Sequence, residues 1–324
     1  MIRPSASIQR LHTIPAPAAR TGPHRHTVHS SDGVRLCVSD HIPDGNIEHT
    51  VVLLHGLCLR RQSWYRPARA LRRPGIRIIQ PDHRGHGRSE QAPLHTYTPD
   101  RLAQDLAEVL TALHITGPLT LAGHSMGGMT ALSYLARPVS QQPVRPQGLV
   151  LIATSAGRLT DHGLGRMLAL PGLDTAINLA KHFPQALTER VMRALAQPLC
   201  DLVTHDKKVS ASLAEAFRST PTSTTLGFLQ SLKTYDRHHV LPNICAATTV
   251  ISGGTDLLTP PVHSDSMAAA IPDVTRIHLP HAGHMLLHEA ATTVSDAILR
   301  TATNPDVQLY SSDQDQRTAI SAPA

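Results

Sequence analysis

Residues Pro118 to Pro138 constrain this chain more than any other segment. A short apolar run ends at Ala122, Gly123-His124-Ser125-Met126-Gly127 follows, and Met129, Leu132 and Leu135 then recur at the spacing of one helical face. This is G-x-S-x-G between a strand and a helix, the context in which it forms a nucleophile elbow. The turn is so tight that side chains two residues before or after the serine would collide, so glycines stand there. The serine backbone is strained and its hydroxyl is lifted above the sheet edge. An ordinary small-residue turn would need none of this flanking pattern.

A serine hydroxyl is inert until a base takes its proton and an acid orients that base. With the elbow after a central strand, those partners are expected later in the chain, acid first and histidine second. Thr248-Thr-Val-Ile-Ser-Gly-Gly-Thr-Asp256 reads as a buried strand running into glycines and a carboxylate. Val274 to Leu279 reads as a further strand leading to Gly283-His284 at a loop-to-helix junction. Ser125, Asp256 and His284 are therefore the expected nucleophile, orienting acid and base, with His281 the main competitor for the base.

Acyl chemistry also needs two N–H groups to hold the negative oxygen of a tetrahedral intermediate. Met126, directly after the serine, supplies one. The other is expected on a loop after an early strand, and Val51-Val-Leu-Leu-His-Gly-Leu-Cys58 has the right form, with Leu57 as donor.

The chain resembles the α/β-hydrolase family over about residues 25 to 300. The resemblance rests on His55-Gly56 with Trp64 beyond it, Pro81-Asp-His-Arg-Gly-His-Gly-Arg-Ser89, Gly123-His-Ser-Met-Gly-Gly128, Gly253-Gly-Thr-Asp256 followed by Thr259-Pro260, and Gly283-His284. It is most similar to the bacterial branch of esterases and lactonase-like enzymes that also holds cofactor-free haloperoxidases and thioesterases. The resemblance implies a mostly parallel central sheet flanked by helices, with a helical cap insertion, and a serine triad that needs no cofactor or metal. It leaves the substrate open, because the fold hosts many chemistries. In that family the 82–89 loop mainly shapes the sheet edge through its Asp and Arg.

Composition agrees with one enzyme domain: 324 residues, 41% of them hydrophobic, can bury a full core. The net charge of +6 comes from scattered arginines. Arg72-Arg73 and Lys207-Lys208 are too short for a nucleic-acid footprint, so none is expected as a partner. No apolar run is long enough for a membrane helix. Cys37, Cys58, Cys200 and Cys245 show no C-x-x-C pairing and read as reduced thiols of a cytoplasmic protein. His278, His281, His284 and His288 could suggest a metal site, but no Glu follows the first His of a helical pair, as H-E-x-x-H requires.

The expected organisation is a disordered basic leader at 1–25, a core at 26–154 and 245–302, a helical cap at 155–244 and a flexible tail at 303–324. Within the core, an opening hairpin over 27–38 precedes strands at 51–54, 76–80, 118–122, 148–153, 248–252 and 274–279. Helices are expected across 62–73, 99–114, 126–137, 260–271 and 284–301. The cap reads as short helices broken by Pro171, Pro184, Pro198 and Pro221. Leu164, Met167, Leu168, Leu173 and Phe183 are expected to wall an acyl pocket, with His55, Gly56, Cys58, His124 and Leu258 around it.

A serine at the elbow points to ester, thioester or lactone cleavage of a small-molecule acyl substrate. Two rivals use the same residues: a cofactor-free perhydrolase, and a ring-cleaving carbon–carbon hydrolase, whose usual Gly-Pro-Gly after His-Gly is replaced here by Leu57-Cys58-Leu59-Arg60. A ligand receptor on a hydrolase scaffold is the non-enzyme alternative.

Overall fold

The computed structural model describes residues 22–172, 175, 183, 185–204 and 206–303. An eight-stranded sheet runs through it: β1 (His24–His29), β2 (Arg35–His41), β3 (His49–Leu54), β4 (Ile76–Pro81), β5 (Leu119–His124), β6 (Gly148–Ile152), β7 (Ala247–Gly253) and β8 (Val274–Leu279). Their spatial order is β1-β2-β4-β3-β5-β6-β7-β8. The β1–β2 and β2–β4 pairs are antiparallel; every pair from β4 to β8 is parallel. The central strands β3, β5 and β6 are buried at every position, as expected of parallel strands covered on both faces.

Two apolar layers do the covering. On one face, α2 (Pro99–Ala112), α3 (Met126–Leu135) and α7 (Pro261–Ala270) bring Leu106, Leu110, Leu132 and Met267 onto the sheet. On the other, α1 (Tyr65–Ala70), α8 (Leu286–Glu289) and α9 (Ala291–Thr303) bring Ala68, Leu286, Val294 and Ile298. The α2 start shows why these residues form a helix there: Thr98 caps the Arg101 N–H at 3.1 Å and Pro99 occupies the first turn, where no N–H is needed.

Between β6 and β7 the chain makes a helical excursion containing α4 (Gln185–Val203), α5 (Lys207–Ser219) and α6 (Thr222–Leu232). It leaves and returns at one point, where Gly157 bridges Asp236 and Arg237 N–H donates to Ala156 O at 2.6 Å. A Cβ on Gly157 would lie 2.9 Å from Asp236 Cα, so this closure needs the glycine. The excursion packs over the carboxyl-end loops: Ala196, Cys200, Val209 and Leu213 join Leu59 and Met285 in one apolar cluster.

Several expected boundaries move. β1 begins at His24, within the expected leader, because His24 and Arg25 pair with Asp40 and Ser39. The 62–73 helix is a 3-10 turn at Arg61–Trp64 followed by α1. Pro198 lies inside the 19-residue α4 instead of ending it; Ala196 and Cys200, buried on either side of it, hold the helix through the missing hydrogen bond. The terminal helix is divided into α8 and α9 around Ala290, and His284 lies in the loop before α8. Leu173 and most of the leader and tail fall outside the described residues. No helix of the described residues is long and apolar enough to cross a membrane.

Candidate active site

All the parallel strands end on the same side, where open α/β sheets place their ligands. β5 delivers Ser125 there with φ 52° and ψ −123°, a conformation that non-glycine residues avoid. The surroundings hold that strain in place. Ser125 N–H donates to Ile152 O at 3.0 Å, while Ser125 O accepts from Thr154 Oγ1 at 2.7 Å and Gly128 N–H at 2.9 Å. The glycines are required sterically: a Cβ at Gly123 would sit 2.4 Å from Gly127 O, and one at Gly127 would sit 2.1 Å from Leu54 O.

Asp256 and His284 meet next to this turn. His284 Nδ1 donates to Asp256 Oδ2 at 2.8 Å, and both side chains are buried. Asp256 is further held by Leu258 N–H at 2.8 Å, Thr259 N–H at 2.9 Å and Thr259 Oγ1 at 2.8 Å. Burial alone would raise this carboxyl's pKa. The charge and hydrogen bond of His284, with the Thr259 donors, outweigh burial and hold it below the ordinary 3.8. Asp256 is thus an anion that three loop donors hold in place to orient one imidazole. His281, the competitor, is exposed on the loop. His284 packs with its ring centroid 5.0 Å from that of His124, the residue before Ser125. The Ser125 hydroxyl makes no hydrogen bond among the described residues, which leaves it free to turn to an incoming group.

The loop after β3 approaches the serine from the other side. A Cβ on Gly56 would lie 3.1 Å from Ser125 Cβ, so only glycine lets this backbone come so close without displacing the serine. Leu57 N–H has no hydrogen-bond partner among the described residues. Met126 N–H is the first of α3 and has no acceptor within the helix. Two unused donors therefore flank the serine. The next N–H, of Cys58, is already spent on His86 Nε2 at 3.1 Å.

His55 and His124 differ from the expected pocket lining: both are fully buried and occupy their rings with the backbone. His55 Nδ1 donates to Gly56 O at 2.8 Å and its Nε2 accepts His83 N–H at 2.9 Å. His86 Nδ1 donates to Arg84 O at 3.0 Å. Burial pushes the His55 pKa down to about 4 and the His86 pKa to about 3, so these rings are neutral struts that fix the loop carrying Leu57. Sequence reading assigned the 82–89 loop a structural role through its Asp and Arg, and missed the part played by His83 and His86. That Asp and Arg are both paired: Asp82 binds Arg61, and Arg84 grips Asp105 at 2.7 Å through both carboxylate oxygens.

Cys58 is buried with Sγ 3.3 Å from Thr225 Oγ1, and burial pushes its thiol up to about 12, so it is no nucleophile at neutral pH. Leu164 N–H donates to Leu257 O at 2.7 Å, which docks the 163–170 turn beside the Asp256 loop, with Leu164, Leu168 and Leu258 half-buried. Met167 and Phe183 are instead 54% and 48% exposed. A cavity of about 160 Å³ opens between α4 and the α5–α6 turn, lined by Met192, Arg193, Phe217, Arg218 and Thr225. None of Leu164, Met167, Leu168 or Leu258 borders it. Among the described residues no group of three or more His, Cys, Asp or Glu is gathered to hold a metal ion.

The family model for the alpha/beta hydrolase fold matches residues 49–291. Among curated proteins, the AB hydrolase superfamily protein YisY of Bacillus subtilis is 25% identical over 278 residues, covering 84% of this chain and 97% of that one. Among solved structures, an esterase from Exiguobacterium antarcticum superposes with a TM-score of 0.71 at 21% identity, covering 86% of this chain and 99% of that one. A bromoperoxidase from Bacillus anthracis superposes with a TM-score of 0.67 at 23% identity, covering 86% and 99%. The match over most of the chain, on a sheet of this order with its elbow after β5, makes this protein a member of the α/β hydrolase family.

Proposed function

We propose that the protein is a serine hydrolase that cleaves a carboxylic ester, thioester or lactone through an acyl-enzyme. The observation that carries the reading is the 2.8 Å hydrogen bond from His284 Nδ1 to the anionic Asp256, made beside a serine held at φ 52°. With Nδ1 committed, Nε2 is the nitrogen left to act as base. His284 takes the Ser125 proton as Oγ attacks the acyl carbonyl, and Asp256 stabilises the imidazolium. The Leu57 and Met126 N–H groups receive the oxyanion; one such donor is worth about 3 kcal/mol. His284 then protonates the leaving group and activates a water that releases the acid. Neither a cofactor nor a metal enters any step.

The excursion over 155–244 serves in this reading as a cap, and its 163–170 turn, docked on the Asp256 loop, bounds the acyl group. Met167→Trp or Leu168→Trp should shift chain-length preference towards shorter esters. The test of the reaction is a panel of p-nitrophenyl esters and lactones with wild type and Ser125→Ala. Turnover lost in the variant supports acyl transfer at Ser125, and equal turnover in both rejects it. The likeness to a bromoperoxidase favours a second reading, perhydrolysis on the same acyl-enzyme, in which peroxide replaces water. Peracid formation from acetate and hydrogen peroxide, measured beside ester hydrolysis, separates the two.

A further inference from the structure

Helix α4 turns its apolar surface outward. Its inner side is narrow: Ala196 and Cys200 are buried against Val209, Leu213 and Ala214 of α5. Its outer side carries Leu187, Val191, Leu195, Leu199 and Leu202, each between 38% and 51% exposed. Steps of four, four, four and three residues keep these side chains within an arc of about 120° at 3.6 residues per turn. Pro198 lies within that arc and Ala194 beside it; Thr188 is its one polar residue, and no charged residue interrupts it. A helix facing water carries its polar residues on this side. Five of the fourteen large apolar side chains exposed among the described residues lie on this one face of α4, so this is a stripe and not scatter.

The charges beside the stripe select its occupant. Arg190 and Asp201 lie on the same flank, five residues before and six residues after Leu195. Arg190 is exposed and makes no ion pair among the described residues. Asp201 spends only Oδ1, which accepts from Gln197 Nε2 at 2.9 Å and Ser210 Oγ at 2.5 Å; its Oδ2 is unengaged among the described residues. Opposite charges on one flank, nearly equidistant from a central leucine, are what two antiparallel copies of one helix require. A two-fold axis at Leu195 sets Leu195 against its own copy and Val191 against Leu199. It also brings Arg190 to Asp201 twice. In a parallel two-fold pair the flank that carries Arg190 and Asp201 lies across the seam from the partner's other flank, so these two charges do not meet, and an anionic lipid surface would face Asp201.

We propose that α4 is the self-complementary interface of a two-fold dimer of this chain, with the two α4 helices antiparallel and crossing at Leu195. The test is sedimentation equilibrium of the full chain from about 1 to about 100 µM. The expected mass is twice the 34.9 kDa of one chain. Leu195→Glu puts two carboxylates at the axis and should raise the dimer dissociation constant at least about 100-fold. Because Leu195 faces outward, the variant should keep wild-type circular dichroism and the fluorescence of the buried Trp64. Arg190→Asp should weaken the dimer, and Arg190→Asp with Asp201→Arg should restore it, since the exchanged charges still meet across an antiparallel pair. A wild type monomeric at the highest concentration overturns the proposal. So does a dimer indifferent to Leu195→Glu, or failure of the charge exchange to rescue in a folded double variant. Monomers that float with phosphatidylglycerol vesicles, and lose that binding in Leu195→Glu, would assign the face to lipid instead.

Discussion

His124 Nε2–H donates to the backbone carbonyl of His284 across 2.9 Å, tying the residue before the proposed nucleophile to the proposed base. His124 is fully buried and burial, with His284 nearby, pushes its pKa down to about 3. The ring is therefore neutral, and the hydrogen bond to a carbonyl assigns its proton to Nε2. Its Nδ1 is left without a partner among the described residues.

This tie should matter to chemistry more than to binding. His124→Leu leaves a buried carbonyl unpaired, a loss of about 1–3 kcal/mol, and frees the His284 loop to drift. We expect kcat on a p-nitrophenyl ester to fall about 10- to 100-fold, since misplacement by about 1 Å can cost that much, with KM nearly unchanged. A rise in KM with kcat intact would place His124 in substrate binding instead.

The buried histidines make the fold acid-sensitive. Folded pKa values of about 4 for His55 and about 3 for His86 and His124 lie below the unfolded value of 6.5. Between those limits the unfolded chain binds more protons, so this contribution to stability is complete above 6.5 and is lost as pH falls towards 3. At pH 5 each such ring costs about 2 kcal/mol relative to pH 7, at about 1.4 kcal/mol per unit. Depression of the Asp256 pKa acts the same way at lower pH, its contribution being present above 3.8 and lost below. Thermal melting from pH 8 to pH 4 should show Tm falling steeply below about pH 6, and His86→Gln should have a shallower slope. A flat profile would mean that these rings protonate in place.

Gly127→Ala tests the elbow's geometry without touching a reacting group. The added Cβ would lie 2.1 Å from Leu54 O, a backbone atom of the central strand that has no room to yield. We expect a loss of more than about 3 kcal/mol, at the severe end for one added methyl, measured by urea unfolding. A variant within 1 kcal/mol of wild type, as an ordinary surface change would be, would show that the turn is not held as tightly as described.

The motifs with local causes were legible in the chain. Ser125 and Asp256 each follow a strand whose buried run is readable in the chain, and His284 follows the half-exposed edge strand β8, marked by its alternation and by Gly283. The loop histidines were not legible, because whether a histidine lines a cavity or braces the backbone depends on neighbours distant in sequence. His86, for example, accepts from Cys58, 28 residues away. Thr259 escaped notice as a holder of Asp256 for a similar reason: the bonds depend on how the loop folds back. Pro198 misled because local propensity ends helices at proline, whereas the packing of Ala196 and Cys200 sustains this one. Met167 and Phe183, expected on a pocket wall, are exposed instead, since periodicity identifies a face but not the direction in which it points.

The central claim is that Ser125 carries the acyl group. Intact-mass spectrometry after reaction with a fluorophosphonate, followed by peptide mapping, tests it directly. One adduct per chain on the peptide containing Ser125, absent from Ser125→Ala and strongly slowed in His284→Ala, is the predicted result. An adduct on another residue, or a Ser125→Ala variant that labels at the wild-type rate, would contradict it.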